Sequence, residues 1–316
     1  MTRSADRSFA LLVLLALISS AILTTLLATL LPRADELFVR GTAGTADVVA
    51  VLVLLLAFAG IALGLVALFR QLIETVALIR TLLSQRVTTP RGIEALATDL
   101  ALGGRVDVVR DRRPFSFCYW FLRPRICLST GLVQRLDTEE LRAVLLHERY
   151  HLRHRDPLRL VVARYFAAGL YVVPVVEELV EHYTVQKEIA ADQDAVRTLG
   201  GVRALASALY KVLPDADEVS LGLLVPVGSL SVTEARIDQL VDGRAVPLVL
   251  SRAGIALSGG TLAAATILAL SQAGLQATLD PVTPLAALLS FVGPASLLSV
   301  AAVTGGVHQL RLVAHR

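Results

Sequence analysis

Between residues 9 and 31 the chain runs without a charged side chain, and it does so again between residues 48 and 69. Runs of that length match the roughly 20 residues that a helix needs to cross a hydrocarbon layer about 30 Å thick. Lipid offers no partner to an open peptide group, so each run is expected to be helical throughout. A cleaved signal peptide would carry a shorter apolar core, about 7–15 residues, ending in small residues. The first run is longer and ends Leu30-Leu31-Pro32-Arg33, which predicts a retained span. Gly60 and Gly64 give the second run a G-x-x-x-G pattern that would let another helix approach closely.

Residues 254–275 and 284–303 are two further apolar runs, softened by Gly and Ser, so four transmembrane helices are expected. Composition agrees: hydrophobic residues make up 55% and charged residues 18% of 316. The net charge of +3 comes almost wholly from dispersed Arg, which argues against direct nucleic-acid binding. Arg3, Arg7, the stretch from Arg70 to Arg86, Arg252, Arg311 and Arg316 mark one side of the bilayer. The 32–47 loop balances Arg33 and Arg40 with acids, and the 276–283 loop has no basic residue. The positive-inside rule then predicts a multi-pass protein of the cell membrane with both termini in the cytoplasm.

This divides the chain into two N-terminal spans (1–70), a cytoplasmic domain (71–250), and two C-terminal spans with a short tail (251–316). Residues 71–86 have a helical apolar period and are expected to continue the second span as an amphipathic helix, broken at Thr88-Thr89-Pro90-Arg91-Gly92. The rest of the domain reads as α+β. Strands are expected at 106–109, 115–121 and 125–129, the last two linked at 122–124. Asp137 with Glu140 three residues on predicts a capping box that opens a helix. Cys118 and Cys127 are expected to be reduced thiols, although a disulfide across the hairpin is conceivable.

That helix carries His147, Glu148 and His151, an H-E-x-x-H motif. Positions i and i+4 share a helix face, so both imidazoles can hold one Zn²⁺, while the Glu reaches the metal-bound water. A solvated face that happens to be rich in His, Arg and Glu is the plain alternative. A catalytic zinc needs a third protein ligand and an open position. His154, Asp156, Glu177, Glu178, Glu181, His182 and Glu188 are all nearby in sequence. His154 lies too far along the axis of a straight helix to join the other two. Glu188 is better placed, with Asp192 one turn later on a predicted helix and able to hydrogen-bond the outer nitrogen of a ligand His.

Residues 158–180 are apolar enough to suggest another span, yet contain Arg164 and Pro174. One crossing would put Glu188 across the membrane from the His pair. The 36 residues between His151 and Glu188 are too few for two crossings of about 20 plus a turn. A buried helix or a dipping hairpin at the membrane face is expected instead.

The runs P-F-S-F-C from Pro114, R-P-R-I-C-L-S-T-G-L-V from Arg123, L-D-T-E-E-L-R-A-V-L-L-H-E-R-Y-H from Leu136 and E-I-A-A-D from Glu188 closely resemble the BlaR/MecR-type membrane zinc metallopeptidases. These are gluzincin-like enzymes related to the HtpX/Ste24 group. The resemblance covers about residues 85–250 and implies one zinc per chain on His147, His151 and Glu188, with Glu148 as general base and Asp192 behind a ligand. It also implies that the strand of Phe115, Ser116 and Phe117 binds substrate as an added β-strand. Arg236 stands where relatives place an Arg near the site. Their His six residues earlier is Leu230 here, which leaves Arg236 a structural part. The β-lactam receptors add a penicillin-binding sensor after the last span, and this chain is expected to lack it.

The expected function is therefore a membrane-embedded zinc endopeptidase acting on a cytosolic or membrane-proximal protein. A BlaI-type transcriptional repressor in a signalling pathway is the substrate that the resemblance suggests. The alternatives are HtpX-like quality control of membrane proteins and a non-catalytic zinc-binding scaffold or sensor.

Overall fold

The computed structural model describes residues 3–40, 45–212, 236, 239–240 and 248–275. Helix α1 spans Arg3–Arg40 and α2 spans Thr45–Ser84. They carry apolar segments at Ala5–Leu31 and Val48–Ser84, and a third lies at Arg252–Ala269 within α9 (Arg252–Leu275). These three are the described helices long and apolar enough to cross a membrane. The span expected at 284–303 lies outside the described residues. The expected 32–47 loop is a correction: α1 continues through Pro32 to Arg40, and α2 begins at Thr45. Residues such as Ala34, Glu36 and Leu37 are good helix formers, and the charged residues among them do not end a helix. The amphipathic stretch after residue 70 does continue α2 as one rod, to Ser84.

The remaining elements are β1 (Arg86–Val87), α3 (Arg91–Asp99), β2 (Val106–Val109), β3 (Ser116–Tyr119), β4 (Arg125–Ser129), α4 (Thr130–Arg135), α5 (Thr138–His154), α6 (Asp156–Gly169), α7 (Val175–Leu199) and α8 (Arg203–Val212). The strands form one sheet in the order β1-β2-β4-β3. β2 and β4 are parallel, and the two outer pairs are antiparallel. β3 ends at Tyr119, short of the expected Phe121, because Trp120 takes a left-handed backbone, φ 65°. β1 is only two residues long, too short for a periodic signal.

Alternation sorts the sheet's two faces. Val106, Val108, Ile126 and Leu128 pack into a core with Leu141, Leu145 and Leu146 of α5. On the other face, Val109, Tyr119 and Cys127 meet Ile79 and Leu82, so the end of α2 lies against the sheet. Asp107 opens onto this same face. It is fully buried and paired with Arg125 at 2.6 Å and Arg86 at 2.6 Å, and it accepts a hydrogen bond from the Tyr119 hydroxyl. Cys127 lies opposite Phe117 and Cys118 opposite Ile126, so the two thiols point to opposite faces and stay free. The disulfide conceivable from spacing is thereby ruled out. Burial, with nearby carboxylates, pushes the Cys127 thiol up to about 12 and Cys118 well above its usual range.

Residues 158–180 form neither one buried helix nor a span. They make a helical hairpin in which α6 runs out, turns at 170–174 and returns as α7. Its tip lies alongside the uncharged run of α2: the Tyr171 hydroxyl donates to the Leu56 carbonyl at 3.3 Å. A Cβ on Gly60 would fall 2.5 Å from the Gly169 carbonyl oxygen, and one on Gly64 3.3 Å from the Gly169 Cα. Among the described residues, the G-x-x-x-G therefore seats the hairpin. Phe9, Leu12, Val13 and Ala16 of α1 pack with Leu158, Val162, Phe166, Val176 and Tyr183 in a second core. The site described next lies where the helices of the two cores meet.

Candidate metal centre

Helix α5 is set by its ends. The Asp137 side chain accepts from the Glu140 backbone at 2.9 Å, while Glu140 accepts from the Asp137 backbone at 2.9 Å, which is the expected capping box. Glu140 is further held by Ser207 and Lys211 of α8. The helix ends at His154 because Arg155 turns left-handed, φ 53°. With Leu141, Leu145 and Leu146 locked in the core, the adjoining side of the helix presents His147 and His151 to α7 and Glu148 to β3.

There the chain brings together a His/His/Glu group. His147, His151 and Glu188 each offer an atom within 4.8 Å of the others. The two Nε2 atoms are 3.0 Å apart, and Glu188 Oε2 is 3.3 Å from His147 Nε2 and 3.6 Å from His151 Nε2. Tetrahedral bonds of about 2.0–2.1 Å require ligand atoms about 3.3 Å apart, so this triangle fits one face of such a site.

The outer atoms fit too. His147 Nδ1 lies 2.8 Å from Asp192 Oδ1, and His151 Nδ1 lies 2.6 Å from Asp156 Oδ2. A carboxylate at Nδ1 fixes the proton there and turns the Nε2 lone pair inward, as a metal-binding imidazole requires. Glu188 Oε1 accepts from Lys187 Nζ at 2.6 Å, which leaves Oε2 to face the pair. Arg236 grips Asp192 with two bonds, at 2.7 and 2.8 Å, and its Nη1 comes within 3.7 Å of Glu188.

The charges are mutually dependent. Burial alone would raise the Glu188 carboxyl, but the charges of Lys187 and His151 override it and hold it well below the usual range. Burial would lower His151, yet Glu188 and the Asp156 hydrogen bond push it up to about 10. Three carboxylates, Asp156, Glu188 and Asp192, thus surround two buried imidazoles in a place suited to a cation.

Glu148 is buried and accepts a hydrogen bond from Ser116 Oγ at 2.7 Å. Of the three residues expected on the substrate strand, only Ser116 turns its side chain to the site. Phe115 and Phe117 pack on the opposite face, toward α2, with ring centroids 5.8 Å apart. His154 is outside the cluster: it stacks on Tyr150 at 3.9 Å and bonds the Tyr150 carbonyl. Leu230 lies outside the described residues.

Sequence reasoning missed three groups. Asp156 stood among the possible ligands but is the partner behind His151. Tyr183, whose hydroxyl donates to Asp156 Oδ1 at 3.2 Å, and Lys187 were not singled out. The adjacency of Lys187 to Glu188 was the one readable signal. Nothing in the spacing of Asp156 or Tyr183 gives their pairing.

A family model described as BlaR1 peptidase M56 matches residues 41–238. Among curated proteins, a protease HtpX homolog of Methanothermobacter thermautotrophicus is 30% identical over 121 residues, covering 31% of this chain and 47% of that protein. Protease HtpX homolog 1 of Streptomyces coelicolor is 28% identical over 88 residues, 27% of each. A protease HtpX homolog of Caldanaerobacter subterraneus is 44% identical over 48 residues, covering 15% of this chain and 16% of that protein. The chain spans less than half the length of these relatives.

Proposed function

The chain belongs to the BlaR1 peptidase M56 family, and from that premise we propose that it is a membrane-embedded zinc endopeptidase cleaving a cytosolic or membrane-proximal protein. The observation that carries this is the convergence of His147, His151 and Glu188 with their outer atoms each held by a charged neighbour. Two imidazoles and one carboxylate are a catalytic-zinc donor set. A bound zinc would polarise the scissile carbonyl and lower the pKa of its water toward 7.

The protein's own residues do the rest. Ser116 engages Glu148 Oε1, leaving Oε2 to take the proton of the attacking water and return it to the leaving amine. β3 is an edge strand of the sheet. The Phe115 carbonyl accepts from Ser129 N at 3.1 Å, so strand parity turns the N–H and C=O of Ser116 and Cys118 outward. A substrate segment pairing with those groups would lie beside Glu148, whose backbone carbonyl accepts from Cys118 Sγ at 3.5 Å.

For the substrate, the family supports a BlaI-type repressor and thus a signalling role, while the HtpX homologs support membrane-protein quality control to the same degree. The Arg distribution supports a site on the cytoplasmic side. Glu148→Gln should retain zinc and lose cleavage. A proteomic comparison of cells carrying wild type and this variant should then show one missing fragment for a signalling protease and many for quality control. Cleavage at the wild-type rate by Glu148→Gln would sink the mechanism.

A further inference from the structure

Asp6 precedes the first uncharged run, yet it pairs with α6, the helix that carries the partner of His151. Its Oδ1 lies 2.6 Å from Arg159 Nη1, a pairing across 153 residues, and the Arg159 side chain is only 7% exposed. Arg159 stands one turn after Asp156 on α6, and its charge acts on both Asp156 and Tyr183. Tyr183 in turn donates to Asp156 Oδ1, and Asp156 Oδ2 holds His151.

Two more residues of the same α1 turns close on this group. The Phe9 ring lies 5.1 Å from the Arg159 guanidinium carbon and 5.2 Å from the Tyr183 ring. Ala5 packs with Tyr150, Ala190 and Ala191, which neighbour His151 on α5 and Asp192 on α7. A small residue there lets α1 approach both metal-bearing helices.

We propose that Asp6 and Arg159 are positioning residues of the metal centre: by clasping α6, the first turns of α1 fix Asp156 and so the tilt of the His151 ring. The inference rests on the metallopeptidase reading only for the identity of the ion. A simple surface ion pair is worth little, but here a buried guanidinium would lose its carboxylate beside the ligand's own support.

The test uses the full chain in detergent, with Zn²⁺ affinity measured by chelator competition and melting followed without metal. Partners behind a ligand typically change metal affinity 10–100-fold. Asp6→Asn, one step further out, should weaken zinc binding about 5-fold. Asp6→Glu should recover most of that loss. Leu12→Ala, fully buried in the same α1 core, should lower the melting temperature more than Asp6→Asn while holding zinc affinity within about twofold. The proposal is overturned if Asp6→Asn binds zinc as wild type does, if Asp6→Glu recovers nothing, or if Leu12→Ala loses as much affinity. A wild-type chain that binds no zinc would overturn the peptidase reading as well. Wild-type affinity in Asp6→Asn overturns this inference alone.

Discussion

His147 and His151 sit one turn apart with their rings 4.7 Å from centre to centre, yet they are supported from opposite directions. Behind His147 stands Asp192, on the helix that also carries Glu188, and its charge is met by Arg236. Behind His151 stands Asp156, beyond the break at Arg155, surrounded by Tyr183, Arg159 and, through Arg159, Asp6. The first support is anchored among the helices over the sheet. The second is anchored among helices that carry or adjoin the apolar runs. A metal held by both imidazoles is held jointly by the two parts of the molecule.

The sharpest way to break this comparison is to remove each support in turn. Asp192→Asn and Asp156→Asn should each weaken zinc binding about 10–100-fold. Adding Asp6→Asn should then separate them. In the Asp192→Asn background it should cost its usual factor, and in the Asp156→Asn background almost nothing, because its route to His151 is already cut. Equal further losses in both backgrounds would show that the two supports are not distinct.

A buried charge cluster away from the candidate metal centre gives the control. The Asp107 carboxyl is held below its usual 3.8, because hydrogen bonds from Arg125 and Tyr119 outweigh the burial that would raise it. Its value in the folded chain is lower than in the unfolded chain. Its stabilisation is therefore complete at neutral pH and is lost as pH falls below about 4. Asp107→Asn should cost about 3 kcal/mol at pH 7, leave zinc affinity unchanged, and differ less from wild type as acid is added. Denaturant melts at two pH values check the sign.

The smallest expected effect is at the hairpin. Gly64→Ala places a methyl 3.3 Å from Gly169 Cα and the Tyr165 ring. Such overpacking costs about 1 kcal/mol. If the comparison holds, any accompanying drift in zinc affinity should vanish in the Asp156→Asn background and persist in Asp192→Asn.

What was legible in the sequence follows the same division. His147, Glu148 and His151 are fixed by helical spacing, and Glu188 with Asp192 by the same rule one segment later, so their geometry needs only local structure. β2 and β4 fall where expected because short apolar and β-branched runs, here buried on both faces, read as strands. Asp6 and Arg159 carry no such rule, since a contact across 153 residues depends on how α1 docks. Asp156 was hidden by the left-handed Arg155, which reverses the chain between His151 and its partner. The 158–180 segment was ambiguous because a helix packed on other apolar helices and one facing lipid have the same hydropathy. The contact of Gly60 and Gly64 with Gly169, which packs its tip on α2, is tertiary.

The length of α2 has a mechanical consequence. Forty residues of unbroken helix make a rod about 60 Å long. Its final turns press Ile79 and Leu82 against the sheet beside the rings of Phe115 and Phe117. Pivoting such a rod about its midpoint by 5° would swing each tip by about 2.6 Å, close to half the spacing between paired strands. The edge proposed to receive a substrate is thus carried on one arm of a lever whose other arm lies in the apolar run.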